Sequence, residues 1–224
     1  MSVLDQHPSA RYVLPFLVFL ILLAVSPLLP ISPGVQAVVR VGILAVVIGT
    51  VAWPVLDFRV SHLAGSVAVG IAVYLIWVGP DVLWPTYRSH WLFQNGLMGK
   101  IASSVPDEAR HDGLVISLRF VRGALIVPIV EELFWRGWLP RWIDDPSDFM
   151  SRPLGQFSRF AFWSTAVLFA VEHGSFWEVG LIAGLVYNWW ITRTKSLGDA
   201  ILAHGVTNAC LGVHVLVLGR WEYW

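Results

Sequence analysis

Glu131-Glu132-Leu133-Phe134-Trp135-Arg136 is the stretch whose reading decides the fold, because two acids and an arginine lie there in one of the most apolar neighbourhoods of the chain, within the run 114–142. In water such a cluster is most often a solvated face. At membrane depth each charge costs several kcal/mol and persists mainly where it pairs or does chemistry. The rest of the chain supplies the membrane context: 56% of the 224 residues are hydrophobic and 13% are charged, and the mean hydropathy is +0.66. Apolar runs of roughly 17 to 25 residues recur, the length a helix needs to cross a bilayer. The reading is an all-α polytopic transmembrane helix bundle in one integral membrane domain, residues 1–224.

About seven spans are expected, at residues 12–29, 35–53, 62–78, 114–142, 158–173, 176–191 and 197–218. Proline and glycine at 30–34, 79–80 and 145–146 separate several of them, since proline removes a backbone donor and stops helices. Many of the 13 tryptophans fall at span ends, where an amphipathic ring settles at headgroup level. The first span follows only Arg11 and lacks a small-residue cleavage pattern, so it reads as a retained anchor. Basic residues favour the side bearing Arg11, Arg59, Arg141, Arg152, Arg159, Arg193 and Lys195 over the side bearing Arg88, Lys100, Arg110 and Arg220. The positive-inside rule then puts the N-terminus in the cytoplasm. Arg40, Arg119 and Arg122 fall inside spans. The formal net charge is zero, so no basic surface argues for nucleic acid, and the single Cys210 excludes an internal disulfide or a multi-thiolate metal site.

Spacing assigns work to the polar insertions. Glu132 and Arg136 are four apart on one helical face, the favourable order for an ion pair. Glu131 lies about 100° around the helix, with no local partner, free to face a cavity as acid or base. A second insertion places Phe169 and His173 one turn apart; Glu172 points elsewhere, in a structural role. A third places His204 and Asn208 one turn apart, and both side chains donate hydrogen bonds of the kind a tetrahedral oxyanion needs. Each insertion also has a plainer explanation, as charges or amides that pin helices together. Depth brings them together: at about 1.5 Å per residue, Glu131 lies roughly 17 Å and His204 about 10 Å from the same end. Glu131, His173, His204 and Asn208 are expected to converge on one cavity open to the cytoplasmic side.

Glu131-Glu132-x-x-x-Arg136, Phe169-x-x-x-His173 and His204-x-x-x-Asn208 resemble, in order, the motifs of the CPBP intramembrane proteases. This family, also called Abi, includes the Ras-converting CAAX prenyl endopeptidases and bacterial bacteriocin-processing or self-immunity proteins. The resemblance covers residues 114–218, which it marks as the catalytic core, with residues 1–113 as scaffold. It implies hydrolysis of a peptide bond within the bilayer, with Glu131 as general base, His173 orienting the water and His204 with Asn208 stabilising the oxyanion. Glu132 and Arg136 would shape the site. The implied substrate is a membrane-associated protein or peptide, lipidated in the eukaryotic relatives, and the implied location is a bacterial inner membrane. Compact size and tryptophan content also resemble the CAAX-protease-related proteins that accompany exosortase and PEP-CTERM sorting systems.

No cofactor is favoured. Zinc bound by Glu131, His173 and His204 is the alternative, although no His-Glu-x-x-His helix is present. Cys210 and Ser164 lack a histidine at an evident spacing for nucleophilic catalysis. A proton-coupled transporter would also bury such residues but should show symmetric halves or paired broken helices. A non-catalytic immunity protein could share the fold without needing all four polar site residues.

Overall fold

A computed structural model describes residues 3–96, 99 and 101–224; Lys100, counted above in the charge bias, lies outside the described residues. Five helices are long and apolar enough to cross a membrane: α1 (Ala10–Leu28), α2 (Pro33–Val55), α3 (Leu63–Leu83), α4 (Gly113–Asp144) and α7 (Leu197–Leu218). Between α4 and α7, α5 (Arg159–Glu172) and α6 (Trp177–Thr194) form a helical hairpin. Among the described residues there is no β-strand, and the chain is an all-α polytopic bundle. At 14 residues, α5 rises only about 21 Å at 1.5 Å per residue, short of a roughly 30 Å hydrocarbon core. The far-end segment comes in to meet the hairpin tip: Arg88 pairs with Glu178 at 2.8 Å and donates to the Ser175 carbonyl at 2.9 Å.

The tightest helix pair is α3 with α7. A Cβ on Gly70 would stand 2.4 Å from the Ala203 carbonyl oxygen, so only glycine lets the two backbones approach, the usual route to close packing where lipid offers no hydrophobic drive. Thr207 Oγ1 donates to the Gly70 carbonyl at 2.8 Å across the same contact. At the near end, where α1 begins, buried Asp199 accepts from the backbone of Ser61 and His62 and from Ser66 Oγ, which ties the start of α7 to the start of α3. At the far end the chain terminus closes over the bundle, with Ser104 N–H on the Trp224 carbonyl and Tyr223 Oη on Asp81.

Proline shapes this bundle more than its role as punctuation implied. The expected stop at Gly79-Pro80 does not occur; α3 runs to Leu83. A proline there removes only one donor, in the last turn, and the Pro80 carbonyl still receives Trp84 N–H. Elsewhere proline widens helices. Three π-helical stretches, Ile48–Ala52, Arg122–Ile126 and Leu133–Trp138, each end two residues before Pro54, Pro128 and Pro140. A proline ring clashes with the carbonyl four residues back, and a wider turn relieves that clash. The residue before each proline accordingly bonds five residues back: Trp53 to Ile48, Val127 to Arg122, Leu139 to Phe134. In that register the next carbonyls, those of Gly49, Gly123 and Trp135, face a proline that has no N–H to give. Two of these stretches flank Glu131-Glu132 in α4.

Candidate active site

Glu131 and Glu132 sit in the short α-helical segment of α4 between its two π stretches, and the helix turns them to different neighbours. Glu132 is fully buried and Arg136 is 1% exposed. Glu132 Oε1 accepts from Arg136 at 2.9 Å and from His204 Nδ1 at 2.8 Å. Arg136 donates through Nε to Asn188 Oδ1 at 3.2 Å, and its guanidinium lies 4.4 Å from the Phe169 ring centroid and 5.1 Å from that of Tyr187. Asn188 is itself held by the Phe162 carbonyl and Thr165 Oγ1, both at 2.8 Å. The pair is therefore one element of a chain of contacts running from α5 and α6 through α4 to α7. Breaking a buried pair while leaving one charge behind is strongly unfavourable.

Glu131 faces the other way, into a cavity of about 280 Å³ that His173, His204 and Asn208 also line. Glu131 Oε2 lies 3.9 Å from His204 Nε2 and has no hydrogen-bond partner among the described residues. Chemistry fixes both imidazole tautomers. An ionised carboxylate only accepts, so His204 Nδ1–H donates to Glu132 and Nε2 is the atom turned towards Glu131. Tyr187 stacks on that ring, with centroids 5.2 Å apart and planes 23° apart. At the end of α5 the His173 N–H bonds to Ala170 at 3.0 Å, which releases the Phe169 carbonyl to accept from His173 Nδ1 at 2.7 Å. His173 Nε2 is left as an acceptor. The Phe169 ring lies between the two histidines, with centroids 4.5 Å from His173 and 6.3 Å from His204.

Asn208 Nδ2 donates to the Gly123 carbonyl at 2.9 Å, one of the carbonyls that proline leaves without a helical partner. Its second N–H is uncommitted by that bond. Gly205 permits the approach, since a Cβ there would meet the Ala124 carbonyl oxygen at 2.9 Å. Glu172, expected to be structural, accepts from Trp135 Nε1 at 3.1 Å and so links α5 to α4. Neither Cys210 nor Ser164 lines the cavity. Sequence reasoning passed over Tyr187, Asn188 and Thr165; the available signal was their polarity within apolar helices.

Two expectations about access conflict. The cavity lining climbs α4 from Glu131 through Gly123 to Arg119 and includes Tyr223 and Trp224, so it opens at the far end, opposite the end where α1 begins. A cytoplasmic N-terminus and a cavity open to the cytoplasm cannot both hold in this architecture. The charge bias that oriented the chain also shrinks once Arg40, Arg119 and Arg122 are assigned by position: all three lie in the far halves of their helices, and among the described residues the near end then carries seven basic residues and the far end six.

Zinc was the alternative for this donor set. Among the described residues no group of three His, Cys, Asp or Glu side chains is close enough, as arranged, to hold a metal ion. The Nδ1 atoms of both histidines are engaged by protein oxygens, which leaves each Nε2 as the atom that would ligate, so Glu131, His173 and His204 would be the ligands of a bound zinc.

The description Rce1-like, type II CAAX prenyl endopeptidase, is that of a family whose model matches residues 114–210. No curated protein and no solved structure matches the chain. The matched stretch holds Glu131, Glu132, Arg136, His173, His204 and Asn208, and nothing in it selects the exosortase-linked subgroup. Over this stretch, less than half of the chain, the protein is similar to the Rce1-like CAAX endopeptidases, in agreement with the resemblance of its motifs to the CPBP, or CAAX protease, family.

Proposed function

We propose that the chain is an intramembrane endopeptidase that hydrolyses a peptide bond of a membrane-associated or lipidated protein by means of a glutamate-activated water. The observation that supports this most is the partnerless Glu131 Oε2, held 3.9 Å from His204 Nε2 in a cavity of about 280 Å³. A water needs only about 10 to 15 Å³ of such space and two to four polar partners, which Glu131, His204 and His173 supply.

In this reading Glu131 takes a proton from the water as its oxygen attacks the peptide carbonyl, with His173 Nε2 accepting from the same water and orienting it. The carbonyl oxygen becomes an oxyanion that accepts from the second Asn208 N–H and from His204 Nε2 when that ring is doubly protonated. Collapse breaks the C–N bond, and the proton held by Glu131 passes to the leaving amine. The new acid keeps the water oxygen. Glu132 and Arg136 act as positioning residues by fixing the plane of His204. No acyl-enzyme forms.

The test uses protein reconstituted in proteoliposomes with a degenerate pool of farnesyl-cysteine peptides, products being identified by mass spectrometry with and without chelator. Cleavage that survives chelation supports the reading. Loss with chelator and recovery specifically with zinc would transfer Glu131, His173 and His204 to the role of ligands.

A further inference from the structure

Residues 220–224 fold back over the far end of the bundle, where Tyr223 and Trp224 line the mouth of the site cavity. Helix α7 stops at Gly219, whose φ of +67° is the left-handed turn that favours glycine, with its N–H on the Val215 carbonyl at 2.9 Å. A Cβ on Gly219 would meet nothing within 4 Å, so this turn is unobstructed. Beyond it the segment is held by a few separate contacts. Ser104 N–H donates to the Trp224 carbonyl at 2.8 Å, and Tyr223 Oη donates to Asp81 Oδ2 at 2.6 Å. The guanidinium groups of Arg110 and Arg119 lie 5.1 Å and 5.5 Å from the rings of Trp221 and Trp224. Asp81 Oδ2 also accepts from Arg88 at 2.9 Å, so the buried carboxylate keeps a cation when Tyr223 leaves. The Trp224 indole reaches in between α4 and α7. A Cβ on Gly212 would stand 2.8 Å from the Phe120 ring and 3.3 Å from Trp224 Cζ2, so glycine leaves the room these rings fill. Gly212 is one turn beyond Asn208 on α7, and Phe120 is three residues before Gly123 on α4. The indole therefore sits about one turn, roughly 5 Å, from the Asn208–Gly123 hydrogen bond on its far side.

We propose that residues 220–224 are a strap that closes the mouth of the site cavity and swings about Gly219 to admit an extended peptide, with the Tyr223–Asp81 bond as its latch. What the strap admits rests on the endopeptidase reading; its motion does not. Space requires that something move. The cavity, about 280 Å³, is smaller than the roughly 300 to 1,000 Å³ of sites that take small ligands. An extended peptide adds about 3.4 Å of length per residue, so one that reaches Glu131 from the far end has to pass the strap. Among the described residues that line the cavity, all but Tyr223 and Trp224 lie on the numbered helices or, for His173, at the cap of α5. The helices are packed spans or a packed hairpin, whereas the strap is joined to the bundle through one glycine and the contacts named above.

The experiment reads access apart from cleavage, on full-length protein in nanodiscs. Val127 lines the cavity one turn from Glu131, so Val127→Cys in a Cys210→Ser background reports entry of 2-sulfonatoethyl methanethiosulfonate, followed by mass spectrometry. Tyr223→Phe keeps the volume of the ring and removes only its hydrogen bond to a carboxylate, and labelling should quicken about tenfold, the scale of one such bond. Trp224→Ala should quicken it at least as much. Equal labelling rates in all three proteins, with melting temperatures that show them folded, overturn the strap. Unchanged labelling with a raised KM in Trp224→Ala would make the indole a fixed wall of the substrate site, and also overturns it. If Trp224→Ala does not fold, Tyr223→Phe decides, since Asp81 keeps Arg88. A second arm closes the strap. Ser104 and Trp224 meet through a backbone hydrogen bond, so cysteines placed at both positions, again with Cys210→Ser, can be bridged by a short bifunctional methanethiosulfonate and released by reductant. The bridged protein should cut the farnesyl-cysteine peptide pool at least tenfold more slowly than the same protein after release. Equal rates before and after release overturn the strap. Labelling that responds to Tyr223→Phe in a protein that cuts nothing would count against the endopeptidase reading and leave the strap standing.

Discussion

Replacing Glu132 with glutamine tests whether the second acid holds the site together. The change keeps volume and an acceptor oxygen, so hydrogen bonds to Arg136 and His204 survive in kind; what is lost is the charge that balances a guanidinium 1% exposed to solvent. Breaking a buried pair by removing one charge costs about 3 to 5 kcal/mol. Arg136 keeps Asn188 at 3.2 Å and the faces of Phe169 and Tyr187, so the lower end of that range, about 3 kcal/mol, is expected. Arg136→Met should be costly as well, because it strands the carboxylate. The double variant removes both charges and should fall short of the two single costs combined by about 1.5 kcal/mol or more, within the usual range for residues in contact. Unfolding of purified protein in mixed detergent micelles, followed by tryptophan fluorescence, measures all four corners of the cycle. A Glu132→Gln cost under about 1 kcal/mol with additive single changes would refute the reasoning.

Pro128→Ala returns a backbone N–H to α4, which then competes with Asn208 for the Gly123 carbonyl; stability should hold or rise, while cleavage should fall at least tenfold as Asn208 is released, read by melting temperature and turnover side by side. Asn208→Ala should lower the turnover number by about 100-fold to 1000-fold, the usual effect of deleting one oxyanion donor, with little change in KM. Gly70→Ala puts a methyl 2.4 Å from the Ala203 carbonyl oxygen; forcing α3 from α7 should cost about 1 to 3 kcal/mol in the same unfolding assay.

The bundle was legible because apolar length and the 3.6-residue period are local properties of sequence, and the six candidate residues stood out because charged and polar side chains are rare in such helices. What escaped the sequence depends on partners distant along the chain. The spacing of Glu132 and Arg136 announced a pair, but not that His204, 72 residues on, shares the same carboxylate oxygen. Pro128 and Pro140 were visible, yet their effect, two widened turns bracketing Glu131 and a carbonyl released to Asn208, requires the three-dimensional register. Counting Arg40, Arg119 and Arg122 merely as residues inside spans hid their far-end position, and the direction of access was lost with it.

The central claim is that Glu131 activates the water, and the most direct measurement is cleavage by Glu131→Gln beside wild type, in the same liposomes, against a peptide that the wild type cuts. Glutamine preserves volume and cannot take the proton. The account predicts a fall in turnover of at least 100-fold, as expected when a positioned general base is removed, with the melting temperature unchanged or higher because an unpaired buried acid is gone. Turnover within a few fold of wild type, in protein shown to be folded, would contradict it.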